Sequence, residues 1–108
     1  MAILDPQAPV LARDPRLLRS QIIRLIRDYF HGQDFIETDT PSLVCSPGME
    51  PHIRPMQVTD TAAFLPTSPE FAMKRILAQG YEKIFQICKA YRYEPKSVTH
   101  NPEFTILE

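Results

Sequence analysis

Glycine is scarce in this chain, with three residues in 108. That is too few for a glycine-rich loop of the kind that wraps phosphates in backbone N–H groups. Cysteine is scarcer still. Cys45 and Cys88 lie far apart with no CxxC pair, and the three histidines are scattered, so the ligand spacing of a structural zinc site is missing. Free thiols in a reducing compartment are the simplest state. Net charge is almost absent: 12 Lys+Arg against 13 Asp+Glu give −1, with the signs interspersed. No broad attraction to nucleic acid or to a membrane surface follows. The opening MAILDPQAPVLARD is too short in apolar run for a signal peptide and is followed by no spanning segment. A cytoplasmic protein without membrane attachment is expected.

Proline, by contrast, is plentiful. Eleven residues argue for long ordered connections. The length suits one small domain with a modest core, and the patterns point to an α+β chain. Residues 1–14 have prolines and no clear period, and read as an extended arm. Asp14-Pro15 should cap and open a first helix, with Leu18, Ile22, Leu25 and Tyr29 at helical spacing and Ile26 and Phe30 widening the stripe. Gly32 is the expected stop. The arginines on its other side read as a solvated face, with RNA contact the alternative. A short strand, a bend at Pro41 and a second strand or turn should follow, then a loop at Ser46-Pro47-Gly48. Glu50 and His52 flank Pro51 in a surface loop. Short strands near Ile53–Val58 and Ala63–Leu65 should pair around Thr59-Asp60-Thr61. Ser68-Pro69 then opens a second helix of about eleven residues ending at Gly80, and Thr67 with Glu70 fits a capping box.

The densest chemistry lies at the end of the chain, in YRYEPKSVTHNPEFTILE from Tyr91. Apolar runs, IFQICKAY and FTIL, flank a polar loop holding Pro95, Lys96 and Ser97, which reads as an antiparallel hairpin from about Lys83 to Leu107. Alternation puts Ile84, Gln86, Cys88, Ala90, Arg92 and Glu94 on one face of the first strand. Phe104, Ile106 and Glu108 share a face of the second. If the register joins those faces, a cation, anions and an aromatic ring converge on one patch suited to a nucleoside triphosphate. A salt-bridged hairpin with a solvated face would have the same alternation.

The ordered set TSPE, MKRILAQG, IFQICKAYR, YRYE and HNPEFTILE, with eight positions from Arg92 to His100, resembles the class II aminoacyl-tRNA synthetases. It is most similar to their lysine branch, and within it to the short paralogues that attach a lysine derivative to elongation factor P. The resemblance runs from about Pro15 to Glu108. It implies the N-terminal part of a class II catalytic domain, an antiparallel sheet flanked by helices. It also implies ATP and Mg²⁺ as cofactors, lysine or β-lysine as substrate, and elongation factor P ahead of tRNA as acceptor. A homodimer through motif 1, the first helix and the segment ending at Pro41, is implied too. Two features support the sub-assignment: there is no room before the first helix for an anticodon-binding barrel, which favours the short paralogue, and Glu70 offers a carboxylate, suited to a substrate with a free cationic amine, where the aspartate branch carries glutamine.

The same resemblance assigns roles. Arg92 matches the motif 2 arginine that binds the ATP α-phosphate and the amino-acid carboxylate, and is the expected catalytic residue. Tyr93, Glu94, His100, Asn101 and Phe104 fall at ATP-contacting positions, with Phe104 the ring that stacks on adenine. Tyr93 stands where relatives have asparagine. Ser68, Pro69 and Glu70 form the substrate triplet, Glu70 receiving the α-amine, and Glu108 matches a lysine-recognising carboxylate. No counterpart of motif 3 follows motif 2, so residues 15–108 are expected to be a partial catalytic domain, inactive alone. Two other readings stay open: a non-catalytic dimerisation or partner-binding fragment, and a minimal ATP-binding domain.

Overall fold

The structure, a computed structural model, describes residues 14–48, 51–94 and 97–108. Residues 1–13 of the expected arm, Glu50, and the turn residues Pro95 and Lys96 lie outside the described residues. The chain divides into two compact units, one ending at Phe35 and one running from Ile36 to Glu108.

The first unit is built on α1 (Pro15–Gly32). Asp14 caps it: its carboxylate accepts the Arg16 N–H at 2.8 Å, and Pro15 follows at the first helical position. The Arg16 side chain also reaches Asp14 at 2.9 Å, and that hydrogen bond holds the Asp14 carboxyl below its ordinary range. The helix ends at Gly32, as expected, and the chain is turned back by the residues after it. Asp34 takes the left-handed conformation, φ 66°, with its N–H on the His31 carbonyl and the Phe35 N–H on the Phe30 carbonyl at 2.9 Å. That is a Schellman closure. Its hydrophobic contact is present as well, the Phe30 and Phe35 rings meeting edge-on at 5.1 Å between centroids. No residue of α1 is buried. Ile22, Leu25 and Tyr29 are exposed, while Leu18, Ile26 and Phe30 are half-buried.

The second unit contains β1 (Ile36–Glu37), β2 (Met56–Gln57), β3 (Phe64–Leu65), α2 (Glu70–Ala78), β4 (Ile84–Phe85), β5 (Ile87–Tyr91) and β6 (Glu103–Leu107). The described strands form three two-stranded pairs. The β2–β3 hairpin turns near the expected Thr59-Asp60-Thr61, Asp60 supplying the positive φ of 62°. β5 and β6 pair antiparallel. Ile84–Phe85, expected to belong to that hairpin, instead pairs in parallel with β1. Backbone groups can serve only one neighbour on each side, and the N–H groups of Ile36 and Thr38 take the Lys83 and Phe85 carbonyls. The one parallel pair joins segments nearly fifty residues apart, so no local pattern announces it.

The core of this unit is small: Met73, Ile84, Phe85 and Ala90. It includes a buried polar residue, Gln86, which is satisfied on all sides. Its side chain donates to the Thr40 hydroxyl at 2.8 Å and accepts from the Thr38 hydroxyl at 3.1 Å. Its backbone exchanges both hydrogen bonds with Glu108 at 3.0 Å. Left unpaired, such an amide would cost about 1–3 kcal/mol; paired, it ties the segment after β1 to the start of the hairpin. Among the described residues no helix is long and apolar enough to cross a membrane.

Candidate functional site

Opposite residues in an antiparallel pair share a face. Cys88 lies opposite Ile106 and Ala90 opposite Phe104. The mutual Gln86–Glu108 bonds and the Arg92 N–H on the Pro102 carbonyl carry the pairing past both strand ends. The even-numbered residues of the two strands therefore do meet. Arg92, Phe104, Ile106 and Glu108 stand on one face, as the alternation alone suggested. Ile84 belongs to the β4 pairing instead.

Arg92 is held from two sides. Its guanidinium carbon lies 5.0 Å from the centroid of the Phe104 ring, a cation–π contact of about 0.5–2 kcal/mol. Its Nε and Nη2 donate to the Thr67 carbonyl at 3.4 and 3.3 Å. Both are long bonds, and among the described residues no carboxylate pairs with it. A planar cation so placed keeps donors for incoming oxygens.

Thr67 is itself fixed. It is buried, and its hydroxyl donates to the Pro47 carbonyl at 2.7 Å. That contact replaces the expected capping box with Glu70. The next residue, Gly48, has φ +133°, and a Cβ there would come 3.0 Å from the Thr67 hydroxyl oxygen. Both backbone and space ask for glycine at this point of the loop.

Helix α2 begins at the same place. The Ser68 hydroxyl accepts the Glu70 N–H at 3.3 Å, and Pro69 is buried beside it. The helix runs nine residues from Glu70, rather than eleven. Glu70 pairs with Lys74 at 2.8 Å, one turn on. The hydrogen bond and charge of Glu70 hold the Lys74 ammonium above its ordinary range, and Glu108 adds to the effect.

These pieces enclose a pocket of about 350 Å³. Of the residues singled out from sequence, Ser68, Glu70, Arg92 and Glu108 line it, with Phe104 stacked beneath Arg92. Thr67, Lys74, Gly48, Ile53 and Phe71 also line it and were not singled out, while Ile106 lines it as the alternation along β6 suggested. The i,i+4 spacing of Glu70 and Lys74 was a readable signal, as was a lone glycine in a proline-rich loop; Ile53 had none. The remaining residues lie elsewhere. Tyr93 is exposed, with the Arg54 guanidinium 4.6 Å above its ring and its N–H on the Arg54 carbonyl at 2.7 Å. Glu94 is half-buried and Asn101 exposed. His100 is exposed and tied to its own turn, its ring nitrogen 3.0 Å from the Thr99 hydroxyl and its N–H on Ser97 Oγ at 3.1 Å. His52 is exposed. Pro41 is exposed and lines a separate groove with Leu43, Phe71 and Arg75.

Cys88 shares the Arg92 face, but burial pushes its thiol above the ordinary range, the opposite of an activated nucleophile. What remains is a small cavity lined by a planar cation, two carboxylates and the start of a helix. Such a set can hold a molecule bearing both a carboxylate and an amine, and can neutralise anionic charge at Arg92.

Known proteins have sequences similar to this one. The family described as tRNA synthetases class II (D, K and N) matches residues 12–108. An elongation factor P–(R)-β-lysine ligase from Pseudoalteromonas translucida is 43% identical over 98 residues, covering 83% of this chain and 30% of the relative. A lysine–tRNA ligase from Teredinibacter turnerae is 40% identical over 95 residues, covering 85% of this chain and 19% of the relative. A second elongation factor P–(R)-β-lysine ligase, from Edwardsiella ictaluri, is 38% identical across all of this chain and 35% of its own length. The chain thus spans between a fifth and about a third of these relatives. With the match running through both helices and the whole β5–β6 hairpin, the chain belongs to the class II tRNA synthetases of the aspartate, lysine and asparagine group.

Proposed function

We propose that this chain supplies the amino-acid and α-phosphate side of a lysine-activating site. The reaction is attack of a lysine or β-lysine carboxylate oxygen on the α-phosphorus of ATP. The bond to the bridging oxygen breaks, pyrophosphate leaves, and an aminoacyl-adenylate forms for transfer to elongation factor P, or to tRNA. The single observation that carries this reading is the pocket that Arg92 lines together with Ser68, Glu70 and Glu108.

Each residue has a task set by its chemistry. Arg92 bridges two anions, the attacking carboxylate and the α-phosphate, and offsets charge that grows in the transition state. Glu70 receives the amine near the carboxylate, and Glu108 the distant one. Phe104 offers a ring to the base; stacking of this kind contributes about 1–3 kcal/mol where bases meet aromatics in single-stranded nucleic acids. Glu94, His100, Asn101 and the backbone around Tyr93 are assigned to ATP by family resemblance. The nucleophile is already ionised, so positioning and charge neutralisation suffice without a general base. Mg²⁺ would accompany the triphosphate, since this ion usually keeps waters while binding one or two carboxylates and phosphates. When bound it neutralises phosphate charge.

The relatives are several times longer than this chain, so the full reaction is assigned to the protein at that length, in the cytoplasm. There the antiparallel β5–β6 pair becomes part of an antiparallel sheet flanked by helices, with residues 15–108 contributing motifs 1 and 2. The test is ATP–pyrophosphate exchange by the full-length protein with lysine and with (R)-β-lysine. Exchange with at least one is expected; none with either sinks the reading. A second reading, a dimerisation or partner-binding module, has one observation in its favour: Ile22, Leu25 and Tyr29 are left exposed along α1. Sedimentation tests it, a homodimer being expected through α1 and the segment ending at Pro41.

A further inference from the structure

The carboxylate assigned to the substrate's amine already holds an ammonium. Lys74 Nζ sits 2.8 Å from Glu70 Oε1, and Lys74 lines the same pocket as Glu70, Glu108 and Arg92. With those four residues charged, two acids face two bases. Both members of the pair are substantially exposed, 64% for the Lys74 side chain and 47% for Glu70, and one-turn pairs in such settings are weak and exchangeable.

We propose that Lys74 is a resident counter-ion: its ammonium occupies Glu70 in the empty pocket and must be displaced, or share the carboxylate, when a substrate amine arrives. This rests on the reading of Glu70 as the amine receptor. Lys74 then acts as a specificity residue. It keeps the empty pocket charge-balanced, so a neutral molecule gains nothing by entering beside Glu70, whereas a cation can take the place of the lysine. A carboxylate has room for more than one donor, but two ammonium groups on one carboxylate lie about 5 Å apart and repel. The upward shift of the Lys74 ammonium, caused by Glu70 first and Glu108 after it, agrees with an ammonium lying between the two acids.

A purely structural role predicts the opposite direction. If Lys74 merely oriented Glu70, its loss would weaken amine binding. If it competes, its loss strengthens binding. The test titrates the full chain at low salt with lysine, with (R)-β-lysine and with 6-aminohexanoate, which lacks the α-amine, in the wild type, Lys74→Met and Lys74→Arg. Binding is read from NMR shifts, which report millimolar affinities. Methionine suits an exposed helix position, so folding is preserved. Lysine should bind Lys74→Met about 3–10-fold more tightly than wild type, with 6-aminohexanoate changed far less, and Lys74→Arg should not share the gain. A wild type that prefers lysine over 6-aminohexanoate while Lys74→Met binds lysine equally or more weakly overturns the counter-ion role and leaves the site reading standing. Equal affinity of the wild type for lysine and 6-aminohexanoate, or binding of none of lysine, (R)-β-lysine and 6-aminohexanoate, removes Glu70 as amine receptor and the proposal with it.

Discussion

The two faces of the β5–β6 hairpin alternate along the same two strands and the residues that flank them, yet they do different things. The even-numbered face has Gln86 and Ala90 buried, Arg92 stacked on Phe104, and Ile106 and Glu108 at the pocket wall. On the odd-numbered face Lys89 is exposed and Leu107 is 43% exposed. Tyr91 lies opposite Glu103, and that carboxylate, by hydrogen bonding, raises the Tyr91 phenol above its ordinary range. One face is held by elements distant in sequence, through Thr67, Thr38 and Thr40. On the other, Tyr91 has a strand neighbour, Glu103, as its side-chain partner. Chemistry that needs a fixed cation belongs on the first, since an arginine free to rotate would lose the advantage of preorganisation. A one-residue slip in register would exchange the faces completely, so the hydrogen bonds between Gln86 and Glu108, which close the end of the ladder, protect the site as well as the fold.

The comparison can be broken most severely at Arg92. In the full-length protein Arg92→Ala should lower lysine-dependent ATP–pyrophosphate exchange by about 10²–10³-fold, the usual cost of one well-placed charge-stabilising donor. Lys89→Ala, three residues away on the other face, should leave exchange within about two-fold, given the small effects of surface changes. Stability should divide the same way. Ala90 is fully buried opposite Phe104, so Ala90→Leu should cost about 1–3 kcal/mol by overpacking, while Lys89→Leu should fall within about 0.5 kcal/mol in urea unfolding. The smallest effect is at Tyr91. Its phenol is raised from 10.0 by the hydrogen bond to Glu103, so its contribution to stability is present below that pH and lost as pH climbs through the higher folded value. Ultraviolet titration should find the Tyr91 transition above 10 in the wild type and lower in Glu103→Gln. No dependence on Glu103 would mean the pair does not form.

Much of this site could be read in the sequence because its information is local. Alternation fixed which strand residues share a face, and the Asp14-Pro15 and Ser68-Pro69 steps marked helix starts. What escaped depended on distant partners. Nothing near Ile84 announces its parallel pairing with Ile36, and nothing near Thr67 announces that its hydroxyl goes to Pro47 instead of capping α2. Gly32 does end α1, but the left-handed position two residues on falls to Asp34 rather than to a glycine, beside the Phe30–Phe35 ring contact. Lys74 was the legible residue left unread. Its spacing from Glu70 was evident, but the acidic pocket around it is assembled only when the hairpin brings Glu108 alongside.

The central claim is that ligands meet the even face. It is tested most directly by methyl NMR on the isoleucines while lysine and ATP·Mg²⁺ are added together to the full-length protein. Ile53 and Ile106 line the pocket, whereas Ile87 lies on the opposite face of β5. The account predicts large shifts at Ile53 and Ile106 with Ile87 nearly still. Shifts concentrated at Ile87, with Ile106 unmoved, would contradict it.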